Sequence, residues 1–132
     1  MARDKEQIGE IKATHGSDDL IHMLQQTYQH FNNRNIDATL AAMDPDVHWP
    51  NGIEGGVEHG VEAVRNYWTN QWALLNPRVE PIAFHFQEDG RINVTVHQVV
   101  HDSEGKLLVD HLIHHIYTID KGLITIMEIQ QE

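Results

Sequence analysis

Hydrophobic and polar residues alternate through the last third of the chain, from Pro81 to Gln131, as they do in half-buried β-strands. Polar loops that end in glycine interrupt this alternation at three places: Glu88-Asp89-Gly90, Ser103-Glu104-Gly105 and Asp120-Lys121-Gly122. A three-residue loop of this kind closes a β-hairpin through a type I turn and a left-handed glycine. The pattern therefore predicts four antiparallel strands joined in sequence by hairpins.

The loops also predict how the strands pair. The residues that flank each loop face one another: Gln87 and Arg91, Asp102 and Lys106, and Ile119 and Leu123. In this register one face of the sheet collects apolar pairs: Phe86 with Ile92, Phe84 with Val94, Ile82 with Val96, Val96 with Leu112, Val100 with Leu108, and Ile116 with Ile126. Because side chains alternate between the two faces of a sheet, we expect this apolar face to lie against the core.

Polar residues interrupt the apolar face at two pairs. Gln98 lies opposite Asp110, and His114 lies opposite Glu128, in the predicted register. A polar group that is buried without a partner costs about 1–3 kcal/mol, so these side chains either satisfy one another in the core or line a cavity. The sequence leaves both alternatives open.

Helices are predicted in the first half of the chain. Their limits, with one short strand between them, are Ser17 (an N-cap) to about Asn33, Ile36 to Met43, Val47 to Trp49 as the strand, and Val61 to Leu74. Residues 1–16 are predicted to form a polar N-terminal arm, and residues 17–132 a single domain. Helices that precede an antiparallel sheet indicate an α+β fold with three N-terminal helices packed on the sheet, in the order α-α-β-α-β-β-β-β.

Composition narrows the function classes. The chain has 132 residues, no cysteine, eleven histidines and a formal net charge of −11. The absence of cysteine excludes disulfides and thiolate chemistry. The acidic balance argues against nucleic-acid binding, because such a surface repels phosphate backbones. The charged N-terminal residues predict neither a signal peptide nor a membrane span, and we expect a cytoplasmic protein that does not bind membranes.

The segment from Asp46-Val47-His48-Trp49-Pro50 to Gly60-Val61-Glu62-Ala63-Val64-Arg65-Asn66-Tyr67-Trp68 resembles the NTF2-like superfamily, and within it the SnoaL-like and ketosteroid-isomerase-like proteins. The resemblance covers about residues 17 to 131. It implies a cone-shaped fold in which a bent sheet wraps helices around a pocket, and a homodimer formed through the outer sheet face. Trp49 occupies the position of the isomerases' general-base aspartate, and indole cannot accept a proton, so steroid isomerisation by that base is not expected.

The candidate catalytic residues are His114, Glu128 and Asp110. A carboxylate that accepts from an imidazole N–H fixes the tautomer and raises the basicity of the other ring nitrogen. In this hypothesis His114 acts as base or acid, Glu128 orients it, and Asp110 polarises the ligand. The alternative is a structural pairing of the same side chains.

The candidate ligand-binding residues are Trp49, Tyr28, Gln98, Val94, Phe84 and Trp68. The opposite sheet face is predicted to carry His97 across from His111, and Asn93 across from His115. These imidazoles could bind a metal ion. The sequence favours instead a dimer interface with no metal, in which histidines mix with apolar residues: Val99, Val109, Ile113, Tyr117 and Met127.

These observations predict a protein that binds an apolar or aromatic small molecule without a cofactor. It would be either an acid/base enzyme, such as an isomerase, cyclase or dehydratase, or a non-catalytic binding or dimerisation module of the same fold.

Overall fold

The structure of the protein is a computed structural model that describes the backbone of residues 2–132 and the side chains of residues 16–132. Within these residues, helices and strands follow one another in this order: α1 (Ala2–Asn32), α2 (Ile36–Leu40), β1 (Met43–Pro50), β2 (Val57–His59), α3 (Val61–Leu74), β3 (Leu75–Phe86), β4 (Ile92–Asp102), β5 (Leu107–Asp120) and β6 (Leu123–Gln131). The predicted α+β class is confirmed, and β2 is an additional strand in a glycine-rich segment, residues 51–60, that contains Gly52, Gly55, Gly56 and Gly60.

Helix α1 begins at Ala2 rather than at Ser17. The backbone of the predicted arm is therefore helical from Ala2. The side chains of residues 1–15 lie outside the described residues. The division into an arm and a domain stays a prediction. None of the helices in the described part of the chain combines the length and the apolar character needed to cross a bilayer.

The strands form one sheet in the order β2-β1-β6-β5-β4-β3. Strands β1 and β6 are parallel, and every other neighbouring pair is antiparallel. Strand β3 lies at an edge and contains Pro77 and Pro81, which an edge strand tolerates because its outer N–H groups need no partner. The edge is pinned to α1, since the Asn32 side-chain amide donates to Val79 O (2.8 Å) and accepts from Val79 N (2.9 Å).

Two of the three predicted hairpin loops are confirmed. Gln87 N donates to Arg91 O (2.8 Å), Asp102 N donates to Lys106 O (2.9 Å), and Gly90 and Gly105 are left-handed. The third loop is shorter than predicted, because Asp120 rather than Ile119 pairs with Leu123. Lys121 and Gly122 both have positive φ, 52° and 80°, as a two-residue type I′ turn requires.

The predicted pairing of β4 with β5 is wrong by one residue beyond the hairpin. His101 pairs with Leu107, but Val100 pairs with Val109, so Leu108 is the extra residue of a β-bulge. A shift of one residue moves every following side chain to the other face. Strand β5 did not reveal this, because Leu107-Leu108-Val109 and Leu112-Ile113 are apolar at successive positions and fit either face equally well.

The bulge exchanges the predicted faces of β5 and β6. The inner face, against the helices, carries residues predicted for the dimer interface: Ile113, His115, Tyr117 and Met127, with exposures of 1, 6, 2 and 4%. They join a core that includes Leu24, Val64, Ile92, Val94 and Val96. The outer face instead carries His97, Asp110, Leu112, His114 and Glu128. A homodimer stays a prediction, and the apolar residues available to it differ from those expected.

Strand β6 is displaced by two residues from its predicted register. The short turn accounts for one residue, and a bulge at Thr125, whose hydroxyl donates to Thr118 O (3.1 Å), accounts for the other. His114 therefore pairs with Gln130, and Glu128 pairs with Ile116. The predicted His114–Glu128 pairing is wrong.

Candidate ligand-binding cavity

A cavity of about 530 Å³ lies between the inner face of the sheet and the helices α1 and α3. Four of the predicted ligand-binding residues line it: Tyr28, Trp49, Trp68 and Gln98. Val94 is fully buried in the core, and Phe84 packs against that core, so neither reaches the cavity wall. The cavity wall also contains residues that the sequence did not single out for it: Asn51, Tyr67, His111, His115 and Tyr117.

Aromatic rings form one wall of the cavity. The Trp49 ring from β1 meets the Trp68 ring from α3 edge-on at 5.4 Å, and Phe31 from α1 meets Trp68 at 5.3 Å. Edge-to-face contacts of this kind fix the rings relative to one another. The position that would carry a general base in a ketosteroid isomerase is therefore a rigid apolar surface here.

The floor of the cavity holds a buried chain of hydrogen bonds. Tyr117 Oη donates to Tyr28 Oη (2.7 Å), and Tyr28 Oη lies 2.8 Å from His115 Nδ1. Helix α1 supplies Tyr28, and the inner face of β5 supplies the other two side chains. Because Tyr28 Oη accepts from Tyr117 and its one other partner among residues 16–132 is His115 Nδ1, we assign the Tyr28 proton to a bond with Nδ1, the arrangement that leaves no hydroxyl proton without an acceptor.

Burial sets the protonation of this chain. Burial, with a smaller contribution from the nearby His114, lowers the pKa of the His115 imidazole from 6.5 to about 4. Burial also raises the pKa of Tyr28, with Tyr117 adding to the effect, and raises the pKa of Tyr117. All three groups are therefore neutral near pH 7.

The neutral state leaves His115 with its proton on Nε2. This nitrogen has no hydrogen-bond partner among residues 16–132, yet it is not sealed from solvent. His115 lines the cavity, so we assign its Nε2–H as the donor that a ligand there would meet. A neutral imidazole held in this way polarises a carbonyl oxygen without adding charge to the site.

A second polar pair lies nearer the opening. His111 Nε2 lies 2.8 Å from Gln98 Oε1, and the two residues are cross-strand partners of β5 and β4. Both line the cavity, and His111 is exposed. The His111–Gln98 contact does not follow from the predicted register, which placed Gln98 opposite Asp110.

The glycine-rich segment borders the cavity as a hydrogen-bonded loop. Asn51 Oδ1 accepts from Ile53 N (3.0 Å) and Glu54 N (2.8 Å), and Asn51 Nδ2 donates to Glu58 Oε2 (3.0 Å). Tyr67 Oη from α3 accepts from Gly52 N (3.0 Å). These bonds fix the rim of the cavity around one buried asparagine.

The predicted catalytic residues lie on the outer face of the sheet. His114 contacts Glu132 (Nε2–Oε2, 2.6 Å) and Asn93 (Nδ1–Oδ1, 2.9 Å). Asp110 pairs with His97 at 2.6 Å, and Glu128 pairs with Arg91 at 3.0 Å. The structure therefore brings none of the three together, and each has a separate partner.

The predicted histidine cluster is divided between the two faces. His111 and His115 face the cavity, while His97, which pairs with Leu112 rather than His111, is on the outer face. Across residues 16–132, no group of three or more His, Asp or Glu side chains is arranged to hold a metal ion.

Another cleft, of about 500 Å³, lies between α1 and β3. Its lining is mainly exposed amide and charged side chains, such as Gln25, Gln29 and Arg78, and Tyr28 separates it from the cavity. The buried hydrogen-bonded groups face the aromatic cavity, which is therefore the candidate site.

Comparisons with known proteins agree with this geometry. Residues 24–127 match the sequence profile of the SnoaL-like domain. No curated protein sequence matches the chain. An NTF2-like protein of unknown function from Burkholderia pseudomallei K96243 is similar in structure, with 23% identity, a TM-score of 0.75, and coverage of 86% of this chain and 91% of that one.

Two further similar structures contain ligands. TerC, co-crystallised with polyporic acid, is 26% identical, with a TM-score of 0.75 and coverage of 86% of this chain and 92% of that chain. RV0760c from Mycobacterium tuberculosis, in complex with estradiol-17β-hemisuccinate, is 18% identical, with a TM-score of 0.74 and coverage of 86% and 94%. The predicted cone-shaped NTF2-like fold is confirmed.

Proposed function

The chain belongs to the SnoaL-like domain family, and from that premise we propose that it binds an uncharged organic molecule through a carbonyl oxygen in the cavity. The Tyr117–Tyr28–His115 chain is the observation that carries this proposal. His115 Nε2–H would donate to the oxygen, and the rings of Trp49 and Trp68 would contact the body of the ligand.

The charge of the site supports an uncharged ligand. Among residues 16–132, the side chains that line the cavity include no Asp, Glu, Lys or Arg, so no permanently charged side chain there would neutralise a carboxylate or an ammonium group. The formal net charge of −11 also disfavours the approach of anions. The small-molecule complexes of TerC and RV0760c support binding in the same fold.

Binding through a neutral donor also favours a reaction class. A carbonyl that is polarised by His115 holds developing negative charge on its oxygen, which is the requirement of isomerisation and cyclisation through an enolate. Such chemistry needs no cofactor. A non-catalytic binding module is the second candidate, and it is favoured by the same lack of a carboxylate base in the cavity.

The test uses 9-fluorenone, a rigid aromatic ketone, as the probe. We expect it to quench tryptophan fluorescence on binding, and its carbonyl stretching frequency in the complex to fall below the value in a hydrocarbon solvent, as hydrogen bonding requires. His115→Leu should bind the probe about two- to tenfold more weakly, the loss of one hydrogen bond, and should abolish the frequency shift.

His114→Leu is the matched control, because the adjacent side chain lies on the outer face. It should leave both the affinity and the frequency unchanged. An unshifted carbonyl frequency in the wild-type complex would contradict the proposal even if His115→Leu does not fold.

We also propose that the protein pairs through the outer face of its sheet. Leu112 and Ile126 on that face are 40% and 37% exposed, and Ile82 at the bulge of β3 is 57% exposed. Burying these side chains between two copies would remove apolar surface from water.

A further inference from the structure

The His111–Gln98 pair determines which nitrogen of His111 can act as a base. Gln98 Oε1 is an amide oxygen and can only accept, so the His111 nitrogen at 2.8 Å, Nε2, carries the proton. The other nitrogen, Nδ1, then keeps its lone pair. His111 is therefore held as a proton acceptor at the opening of the cavity.

His111 and His115 present opposite functions to one cavity. They are four residues apart on the inner face of β5, about 13 Å from Cα to Cα at the usual rise per residue, with Ile113 between them. His115 offers an N–H donor, and His111 offers a lone pair. A ligand that spans part of this distance would meet a donor at one end and an acceptor at the other.

We propose that the ligand is a conjugated hydroxyketone, bound with its carbonyl at His115 Nε2–H and its hydroxyl at His111 Nδ1, and that His111 takes the hydroxyl proton. This inference rests on the proposed function and names its ligand class. The O–H bond breaks, and an N–H bond forms at His111 Nδ1. The electron pair left on oxygen delocalises through the conjugated system to the carbonyl oxygen at His115, so no other reactant is required.

The charges around His111 suit this transfer. The nearest carboxylate along the strand, Asp110, lies on the outer face, where it pairs with His97 at 2.6 Å. On the inner face the partner of His111 is the uncharged Gln98, and the cavity-lining side chains of residues 16–132 are free of carboxylates. The anion of the ligand would therefore be the counter-ion of the His111 imidazolium, and a neutral hydroxyketone would enter without repulsion from the acidic surface.

The experiment uses 3-hydroxy-9-fluorenone, whose visible absorption moves to longer wavelength when its hydroxyl ionises. We expect bound probe to be ionised at a pH at which the free probe is neutral, with its apparent pKa lowered by at least about one unit in the wild-type complex. His111→Gln should still bind the probe but leave its hydroxyl protonated. His97→Gln, which changes the outer-face histidine of the neighbouring pair, should behave as the wild type.

Each outcome decides the inference. An ionised probe that depends on His111 supports it. Probe that binds without ionising, or that ionises equally in His111→Gln, overturns it while 9-fluorenone binding leaves the proposed function intact. If neither fluorenone binds, the proposed function fails and the inference fails with it.

Discussion

Both faces of the β4–β5 ladder carry histidines, but the side chains that these histidines contact differ between the faces. On the inner face His111 and His115 contact an amide and a tyrosine hydroxyl, and His115 is 6% exposed. On the outer face His97 and His114 contact the carboxylates of Asp110 and Glu132 and remain partly exposed. The residue type is the same on both faces, so the partners distinguish them: uncharged groups on the inner face and carboxylates on the outer face.

The comparison shows how much chemistry depends on one extra residue. Without the bulge at Leu108, the inner face would carry His114 and Asp110 beside the helices, and His115 would face outward. A cavity that contained an imidazole and a carboxylate would attract cations and perform different proton transfers. With the bulge, the side chains of residues 16–132 that line the cavity include no carboxylate.

The largest effect that distinguishes the faces is expected from neighbouring apolar residues. Ile113, 1% exposed on the inner face, should lose about 2–5 kcal/mol of unfolding free energy on change to alanine, because the truncation leaves a cavity in the core. Leu112→Ala, at a position 40% exposed on the outer face, should lose about 1 kcal/mol or less at a protein concentration low enough to keep the proposed pair of copies dissociated. Urea denaturation measures both losses of unfolding free energy. A larger loss for Leu112→Ala than for Ile113→Ala would indicate that β5 pairs without the bulge.

Much of the fold could be predicted from the sequence, because turns and helix boundaries are local. Gly90 and Gly105 occupy the left-handed positions expected of them, and α3 spans Val61–Leu74 as predicted. The site could not be predicted to the same extent, since its residues depend on pairing between distant strands. Positions 114 and 115 are both histidine, and only the packing of Tyr117 and Ile113 against the helices determines which one faces the cavity.

The aromatic part of the site was predictable for a different reason. Tyr28, Trp49 and Trp68 lie on α1, β1 and α3, so the direction in which each faces does not depend on the β4–β5 register. Gln98 lies on the inner face because it alternates along β4 with Ile92, Val94 and Val96, although the bulge at Ile82 shifts the β3 pairing by one residue, so that Val96 pairs with Pro81 and Gln98 with Val79. Its partner His111 was missed, since that pairing lies beyond the bulge at Leu108.

The next largest effect is the pH dependence of the unfolding free energy, to which His115 and His114 are expected to contribute differently. The His115 imidazole binds a proton near pH 6.5 when unfolded but only near pH 4 when folded, so between these values protons favour the unfolded chain. The unfolding free energy therefore holds its full value above pH 6.5. It decreases by about 3 kcal/mol as the pH falls from 6.5 through 4. His115→Gln, which keeps an acceptor for Tyr28 but does not titrate, should remove most of this decrease.

Denaturation curves at several pH values between 4 and 7 provide the measurement. His114→Gln should retain the wild-type decrease, because the imidazole it removes lies on the outer face and contributes only the smaller part of the shift at His115. Parallel curves for the wild type and His115→Gln would show that the buried imidazole does not resist protonation.

The smallest effect on the unfolding free energy is expected at the His97–Asp110 pair, which lies on the outer face next to the His111–Gln98 pair of the inner face. Asp110→Asn removes the carboxylate from the contact with His97, whose two side chains are 52% and 42% exposed, so it should lower the unfolding free energy by about 0.2–1 kcal/mol. Because solvent-exposed charges are screened, the loss should disappear in about 1 M NaCl, where the Debye length is near 3 Å. A loss above about 2 kcal/mol that persists in salt would mean that the pair is buried in solution. Its dependence on protein concentration would then show whether a second copy covers it, and in that case the contrast between the faces would be between a ligand cavity and a subunit interface.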